Sequence, residues 1–398
     1  MIDVWDFEDI RPYNDDEIPE VIDRLLQEPL LYEMMAWVYP SLDQTDIQEM
    51  FGELKSVEEF QLNISGPVFK VVTQMTTSGL TFTNMDRIKA DEAYLFLSNH
   101  RDIILDSALL NVSLMEKGRP TTQIAIGDNL LRNPLIRDLA RINRNFIVNR
   151  DTNAKEMLLN SRKLSNYIRK TIIDEKTSIW IAHKEGRSKD GDDRTASGLV
   201  KMLTLSSDDD PILSLKDLNI MPMVVSYEYD PCDLFKVNEL LSLEKDGTYE
   251  KKKGEDFYSM MKGVTGHKGG VNISVGNVLS QVYDDIAEIE NRNDKIRAFS
   301  AVVDSRMHEL YRLWPTNYVA YDLLHGERKY RSEYTPIQRA AFRNYIRGRV
   351  LKLAISRKKL GHQREGFMKL VRENLLQMYA NPVINKEQLE KSVESHIA

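Results

Sequence analysis

A histidine and two carboxylates sit where an apolar run stops, in Ser98-Asn99-His100-Arg101-Asp102 with Asp106 close behind. A hydroxyl is a poor nucleophile until a base takes its proton. An imidazole, with an unperturbed pKa near about 6.5, can do this near neutral pH when a carboxylate fixes its tautomer. His100 is therefore a candidate general base, with Asp106 or Asp102 to orient it. Capping competes as a role for Asp102, because aspartate is favoured at helix starts. Downstream, Arg144 and Arg150 flank Phe146-Ile147-Val148, and Arg187 lies in His183-Lys184-Glu185-Gly186-Arg187-Ser188. Guanidinium forks donate paired, charge-assisted hydrogen bonds to phosphate oxygens, so these three arginines are candidate anion ligands.

The elements that must position these groups are legible as alternating apolar runs. Ala93-Tyr94-Leu95-Phe96-Leu97 reads as a buried strand ahead of His100, and Ile103, Ile104, Ala108, Leu109 and Leu110 begin a helical pattern after it. Thr121 to Ile126 precedes Gly127-Asp128-Asn129-Leu130, and Ile179-Trp180-Ile181-Ala182 runs into His183. Ile220 to Glu228 is a fourth apolar strand, with Pro222 at its start. In open α/β sheets, ligands bind outside the carboxyl ends of the strands, where these polar residues fall. The expected fold is α/β, a mixed and mostly parallel sheet with surrounding helices such as 153–173, plus N-terminal and C-terminal helical segments. The expected divisions are an N-terminal helical region 1–85, an α/β domain 86–285 and a C-terminal helical region 286–398.

Smaller signals refine this outline. Leu30, Leu31, Met34, Met35, Trp37 and Val38 form an apolar cluster, read as core ahead of an acyl-chain or membrane contact. Ser206 to Pro211 reads as an exposed loop, and the helices after Gly276 are interrupted near Trp314-Pro315 and Gly326. Gly266-His267-Lys268-Gly269-Gly270 lacks the Gly-Lys-Ser/Thr order of a P-loop and reads as a turn entering the strand Val271 to Val275.

The four strand-end motifs resemble, in order, the blocks of the glycerol-phosphate acyltransferase family, over roughly residues 93 to 230. The resemblance includes phospholipid and lysophosphatidate acyltransferases and is nearest a divergent bacterial branch. It implies transfer of a fatty acyl group from acyl-CoA or acyl-carrier protein, as cosubstrate, to a hydroxyl of glycerol 3-phosphate or lysophosphatidate. His100 would be the base and Asp106 its partner, with Asp102 competing. Arg101, Arg144, Arg150, Glu185, Gly186, Arg187 and Ser188 would hold the phosphorylated acceptor, and Pro222 would shape the wall. Two departures stand out: five residues separate His100 from Asp106 where four are usual, and one small residue is missing before Arg187. Another hydroxylated lipid acceptor, or a catalytically silent lipid- or carrier-binding protein, is the alternative reading. Direct attack on a thioester needs neither an enzyme nucleophile nor a metal, so no cofactor and no metal ligand is expected.

Composition narrows the remaining classes. The 398 residues, 42% hydrophobic and 29% charged, suit a globular protein with a sizeable core. The single cysteine, Cys232, lies in the acidic turn Asp230-Pro231-Cys232-Asp233 and reads as a structural thiol. His183, His267 and His308 are isolated candidate ligands outside any metal-binding spacing. The start, Met1-Ile2-Asp3-Val4-Trp5-Asp6, lacks the pattern of a signal peptide, and no apolar run approaches the ~20 residues of a membrane span. A cytoplasmic location is expected, with peripheral contact on an anionic inner membrane face and no nucleic-acid partner. Charge is polarised along the chain. Residues 1–60 carry 17 Asp or Glu against three basic residues, whereas 337–374 carry 11 Lys or Arg against two Glu. That basic window has the spacing of an amphipathic helix, which could lie on anionic lipid, dock on an acidic partner or pack its apolar side inward.

Overall fold

The computed structural model describes residues 5–150, 154–207, 210–280, 282–357 and 363–397. Met1 to Val4 of the acidic start, Asp208 and Asp209 of the 206–211 loop, and Lys358, Lys359 and Leu360 of the basic window lie outside the described residues. Seven strands form one sheet: β1 (Thr77–Thr83), β2 (Leu95–Ser98), β3 (Gln123–Gly127), β4 (Asn145–Val148), β5 (Ile179–Ala182), β6 (Ile220–Tyr227) and β7 (Gly269–Val275). Their order is β1-β7-β6-β2-β5-β3-β4. Strands β6, β2, β5, β3 and β4 run parallel, while β7 is antiparallel to β6 and parallel to β1. The mixed, mostly parallel sheet is thus as the apolar runs predict. Strand β1 falls within the stretch read as helical, because its alternation of Thr81 and Thr83 with Leu80 and Phe82 gives a half-buried edge strand.

Helices cover both faces. Before the central strands come α1 (Ile18–Leu26), α2 (Pro29–Val38), α3 (Gln44–Gly52), α4 (Val57–Phe60) and α5 (Gly66–Thr76). Between strands lie α6 (Leu105–Glu116), α7 (Pro134–Ile142), α8 (Ala154–Arg169), α9 (Ser197–Leu203), α10 (Asp233–Asp246) and α11 (Glu255–Thr265). The chain ends in α12 (Tyr283–Ala287), α13 (Arg292–Leu310), α14 (Pro315–His325), α15 (Pro336–Ser356) and α16 (Arg364–Ile397). Side chains alternate across β2, so Leu95 and Leu97 enter one core with Leu164 and Ile168 of α8 and Phe299 of α13. Tyr94 and Phe96 enter the other, with Leu109 and Leu110 of α6.

Two further clusters sit beside the sheet. Leu31, Met35 and Val38 of the 30–38 cluster are buried, which makes that cluster core. In the basic window, Phe342, Ile346, Val350 and Leu353 of α15 pack with α14 and α16, so the apolar side turns inward. Arg343, Arg347 and Lys352 stay exposed. The expected punctuation holds: Pro315 opens α14, and Gly326 closes it in the left-handed region at φ 71°.

Candidate active site

Strand β2 delivers Ser98, Asn99 and His100 to the carboxyl edge of the sheet. Asn99 extends the sheet by one side chain, donating Nδ2 to the Val225 carbonyl at 3.1 Å while its Oδ1 accepts the Val225 N–H at 2.8 Å. The next imidazole is thereby held at a fixed height above the edge. His100 Nδ1 lies 2.9 Å from Asp106 Oδ2, and the ring meets Trp180 edge-on at 5.5 Å between centroids. With Asp106 ionised, this contact puts the proton on Nδ1 and leaves Nε2 a lone pair. Asp106 is fully buried at the start of α6, where the helix dipole favours an anion. The same Oδ2 accepts the Arg101 N–H at 2.6 Å and the Asp102 N–H at 2.9 Å, and Oδ1 accepts the Tyr227 hydroxyl at 2.9 Å.

The extra residue between His100 and Asp106 is taken up by the turn. Asp102 Oδ1 accepts the Ile104 N–H at 3.0 Å and the Leu105 N–H at 2.9 Å, so Asp102 holds the turn that starts α6. Burial and the neighbouring Asp106 charge push its carboxyl above the usual range. Gly263 of α11 encloses it: a Cβ there would fall 1.9 Å from Asp102 Oδ2. Asp106, and not Asp102, is therefore the carboxylate in contact with His100.

The loop after β5 lies against this dyad. The Ser188 N–H donates to the His100 carbonyl at 2.7 Å, which places Arg187 beside the site. Gly186 adopts φ 68°, the left-handed conformation that turns Arg187 inward. Arg187 Nη1 and the Ser188 hydroxyl are buried with no hydrogen-bond partner among the described residues. A buried guanidinium nitrogen without an acceptor is a site prepared for an anionic oxygen. Nearby, the Arg150 guanidinium lies on Gly127, where a Cβ would come within 2.7 Å of Nε. Its Nη1 is 3.3 Å from Glu185 Oε1, so the exposed Glu185 carboxylate orients Arg150. An anion here would meet the arginines, with Glu185 holding one of them.

Comparisons with known proteins bear on the same stretch. The family model described as Acyltransferase matches residues 79–226, from β1 to the end of β6. The matched stretch carries His100, Asp106, Arg150 and Arg187. No curated protein matches the chain. Among solved structures, the chain is similar to the 1-acyl-sn-glycerophosphate (LPA) acyltransferase PlsC from Thermotoga maritima. Identity is 11% and the TM-score 0.36, over 75% of this chain and 98% of that one.

Three residues expected at the site lie elsewhere. The Arg101 guanidinium turns into the interior, where Nη2 donates to Asp193 Oδ2 at 2.7 Å and to the Gly191 carbonyl at 3.2 Å. Arg144 precedes β4 instead of following it, so it sits at the opposite edge, on a cavity of about 930 Å³ shared with Gln123, Lys170 and Thr177. Its Nη1 donates to the Thr121 carbonyl at 3.1 Å. Pro222 pairs with Leu97 inside the sheet, and β6 runs five residues further before Tyr227 reaches the dyad. Asp193, Tyr227 and Asn99 carry roles that their residue types alone did not suggest. Tyr227 could have been found, since it ends the apolar run 220–227. Cys232 is buried, its thiol donates to the Ser259 carbonyl, and burial with nearby Asp230 pushes its pKa up to about 12, in keeping with a structural thiol.

Proposed function

We propose that the protein transfers a fatty acyl group from an acyl thioester, carried on coenzyme A or acyl-carrier protein, to a hydroxyl of glycerol 3-phosphate or lysophosphatidate. The observation that carries this reading is the His100–Asp106 contact beside the unpartnered Arg187 nitrogen: a base and an anion grip on adjacent segments. The acceptor hydroxyl donates its proton to His100 Nε2 as its oxygen attacks the thioester carbonyl. The tetrahedral adduct then collapses, the C–S bond breaks, and the sulfur leaves with the proton that His100 returns. Asp106 holds the imidazole in the tautomer this needs and stabilises the imidazolium. Arg187, with Arg150 and Ser188, receives the acceptor phosphate.

Thiol release from an acyl thioester tests the proposal, with each phosphorylated acceptor run beside its unphosphorylated counterpart. Release should require an acceptor and favour the phosphorylated form. Arg187→Ala should raise the apparent KM for that acceptor by about tenfold or more while changing the thioester KM little, because a charge-assisted bond is worth roughly 1.5–3 kcal/mol. Equal use of both acceptor forms, or equal weakening of both substrates in the variant, would remove the phosphate grip from the account.

A further inference from the structure

Helix α8 begins just beyond Arg150, at the sheet edge that carries His100, and residues 155–159 near its start are exposed. Lys155, Glu156, Met157, Leu158 and Leu159 are all exposed, and packing on the sheet starts only with Leu164. Three consecutive large apolar side chains, 57%, 60% and 51% exposed, therefore stand at this helical tip. Isolated exposed apolar residues are ordinary, whereas a contiguous group on a projecting end marks an interaction site.

The surroundings of the tip give the partner's chemistry. Asn129, after β3, donates to Asp256 at 3.4 Å, which brings the start of α11 to the same edge. There Lys252 and Lys253 are exposed, Lys251 is exposed and paired with Asp256 at 2.6 Å, and Tyr258 is 67% exposed. Arg162, one turn after Leu158 in α8, adds exposed positive charge. At the opposite edge carboxylates outnumber cations: the cavity there is lined by Asp6, Glu8, Asp15, Asp174 and Glu175 against Arg11, Arg144 and Lys170. An apolar tip with a flanking tyrosine and basic residues, on a molecule acidic at its far end, matches the layered chemistry of an anionic bilayer surface. There acyl chains meet the tip, the interface takes tyrosine, and headgroups take lysine and arginine.

We infer that the Met157-Leu158-Leu159 tip of α8, flanked by Lys251 to Lys253 and Tyr258, inserts into an anionic lipid surface and presents the His100 edge to it. The inference rests on the lipid-acceptor reading above and names the surface through which that site meets its lipid. In α15, Phe342, Ile346, Val350 and Leu353 are buried in the protein's own core, and the exposed Ile337, Leu351 and Ile355 are spread along the helix instead of being consecutive.

The test is co-sedimentation of the full chain with vesicles of phosphatidylglycerol and phosphatidylcholine, run with thiol release from a soluble short-chain thioester and glycerol 3-phosphate. Met157→Gln, Leu158→Gln and Leu159→Gln combined should lower the bound fraction at least fivefold, with unchanged melting temperature and unchanged soluble turnover. Lys251→Gln, Lys252→Gln and Lys253→Gln combined should abolish most of the salt-sensitive part of binding. Binding by the apolar variant equal to wild type overturns the inference. So does loss only in Arg343→Gln, Arg347→Gln, Lys352→Gln, which would move the contact to α15. Undiminished vesicle binding with turnover lost only on a carrier-protein thioester also overturns it, by making the tip a protein-docking site. If wild type releases no thiol yet binds vesicles through the tip, the lipid surface stands and the proposed chemistry falls.

Discussion

Asp106 collects four donors on one carboxylate, and only one of them belongs to the base. Two backbone N–H groups and the Tyr227 hydroxyl fix its oxygens before His100 is considered, so the imidazole is aligned by a group that cannot itself swing. Asp106→Asn should cost turnover about 10²-fold or more: its carbonyl oxygen would keep the place of Oδ2, which accepts two backbone N–H groups, so the tautomer survives, but the charge that stabilises the imidazolium is lost. Asp102→Asn should cost only a few-fold, since asparagine caps a helix as well as aspartate does. Steady-state rates in the reverse order would exchange the two roles. The sequence showed both carboxylates but could not rank them, because a spacing one residue too long does not reveal which turn absorbs it. His183 was visible too, yet its setting was not. It is completely buried, and burial lowers its pKa to about 4 against about 6.5 unfolded. The unfolded chain therefore binds more protons between these values. The stability that neutral His183 contributes is present above about pH 6.5 and lost as pH falls towards 4, on the order of 3 kcal/mol in all. The melting temperature should fall over that window in wild type, and less in His183→Gln; parallel profiles would contradict this.

Between elements, the buried Arg101–Asp193 pair joins the turn after β2 to the loop after β5. Arg101 follows the base directly, and Asp193 lies on the loop that carries Arg187, so the ion pair reinforces the Ser188–His100 backbone bond in fixing the distance between base and anion grip. Burial opposes a charged Asp193, but Arg101, His183 and Lys184 hold its carboxyl down at about 2. Gly191 packs so closely on α16 that a Cβ would meet the Met378 carbonyl at 2.1 Å, and Asn381 donates to the Asp190 carbonyl at 2.8 Å. The far helix thus braces the same loop. Asp193→Ala should lower unfolding stability by about 3–5 kcal/mol, the cost of leaving a buried guanidinium unpaired. A loss under about 1 kcal/mol in denaturant unfolding would mean that water reaches Arg101. Arg101 looked like a ligand because its neighbour is the base. Adjacent residues at a strand end point opposite ways, and no local pattern says which one faces the pocket. Arg144 misled for a related reason: it lies one residue before β4, and parallel strands send their two ends to opposite edges.

At the scale of the whole molecule, the sheet separates two chemistries by its edges. Five parallel strands carry Ser98, Gly127, Val148, Ala182 and Tyr227 to one edge, where base and arginines meet, while acidic side chains gather at the other. That much was legible, because continuous apolar runs ending in polar residues mark buried parallel strands. The strand order was not legible, nor was the packing of α16 on the loop after β5, since both depend on contacts between residues nearly two hundred positions apart. The central claim is that His100, aligned by Asp106, is the base for acyl transfer at this edge. Its most direct test is acceptor-dependent thiol release by wild type and His100→Ala, measured with melting temperature on the same preparations. The account predicts a fall of about 10² to 10⁴ in turnover with an unchanged melting temperature. Undiminished turnover in His100→Ala would contradict it.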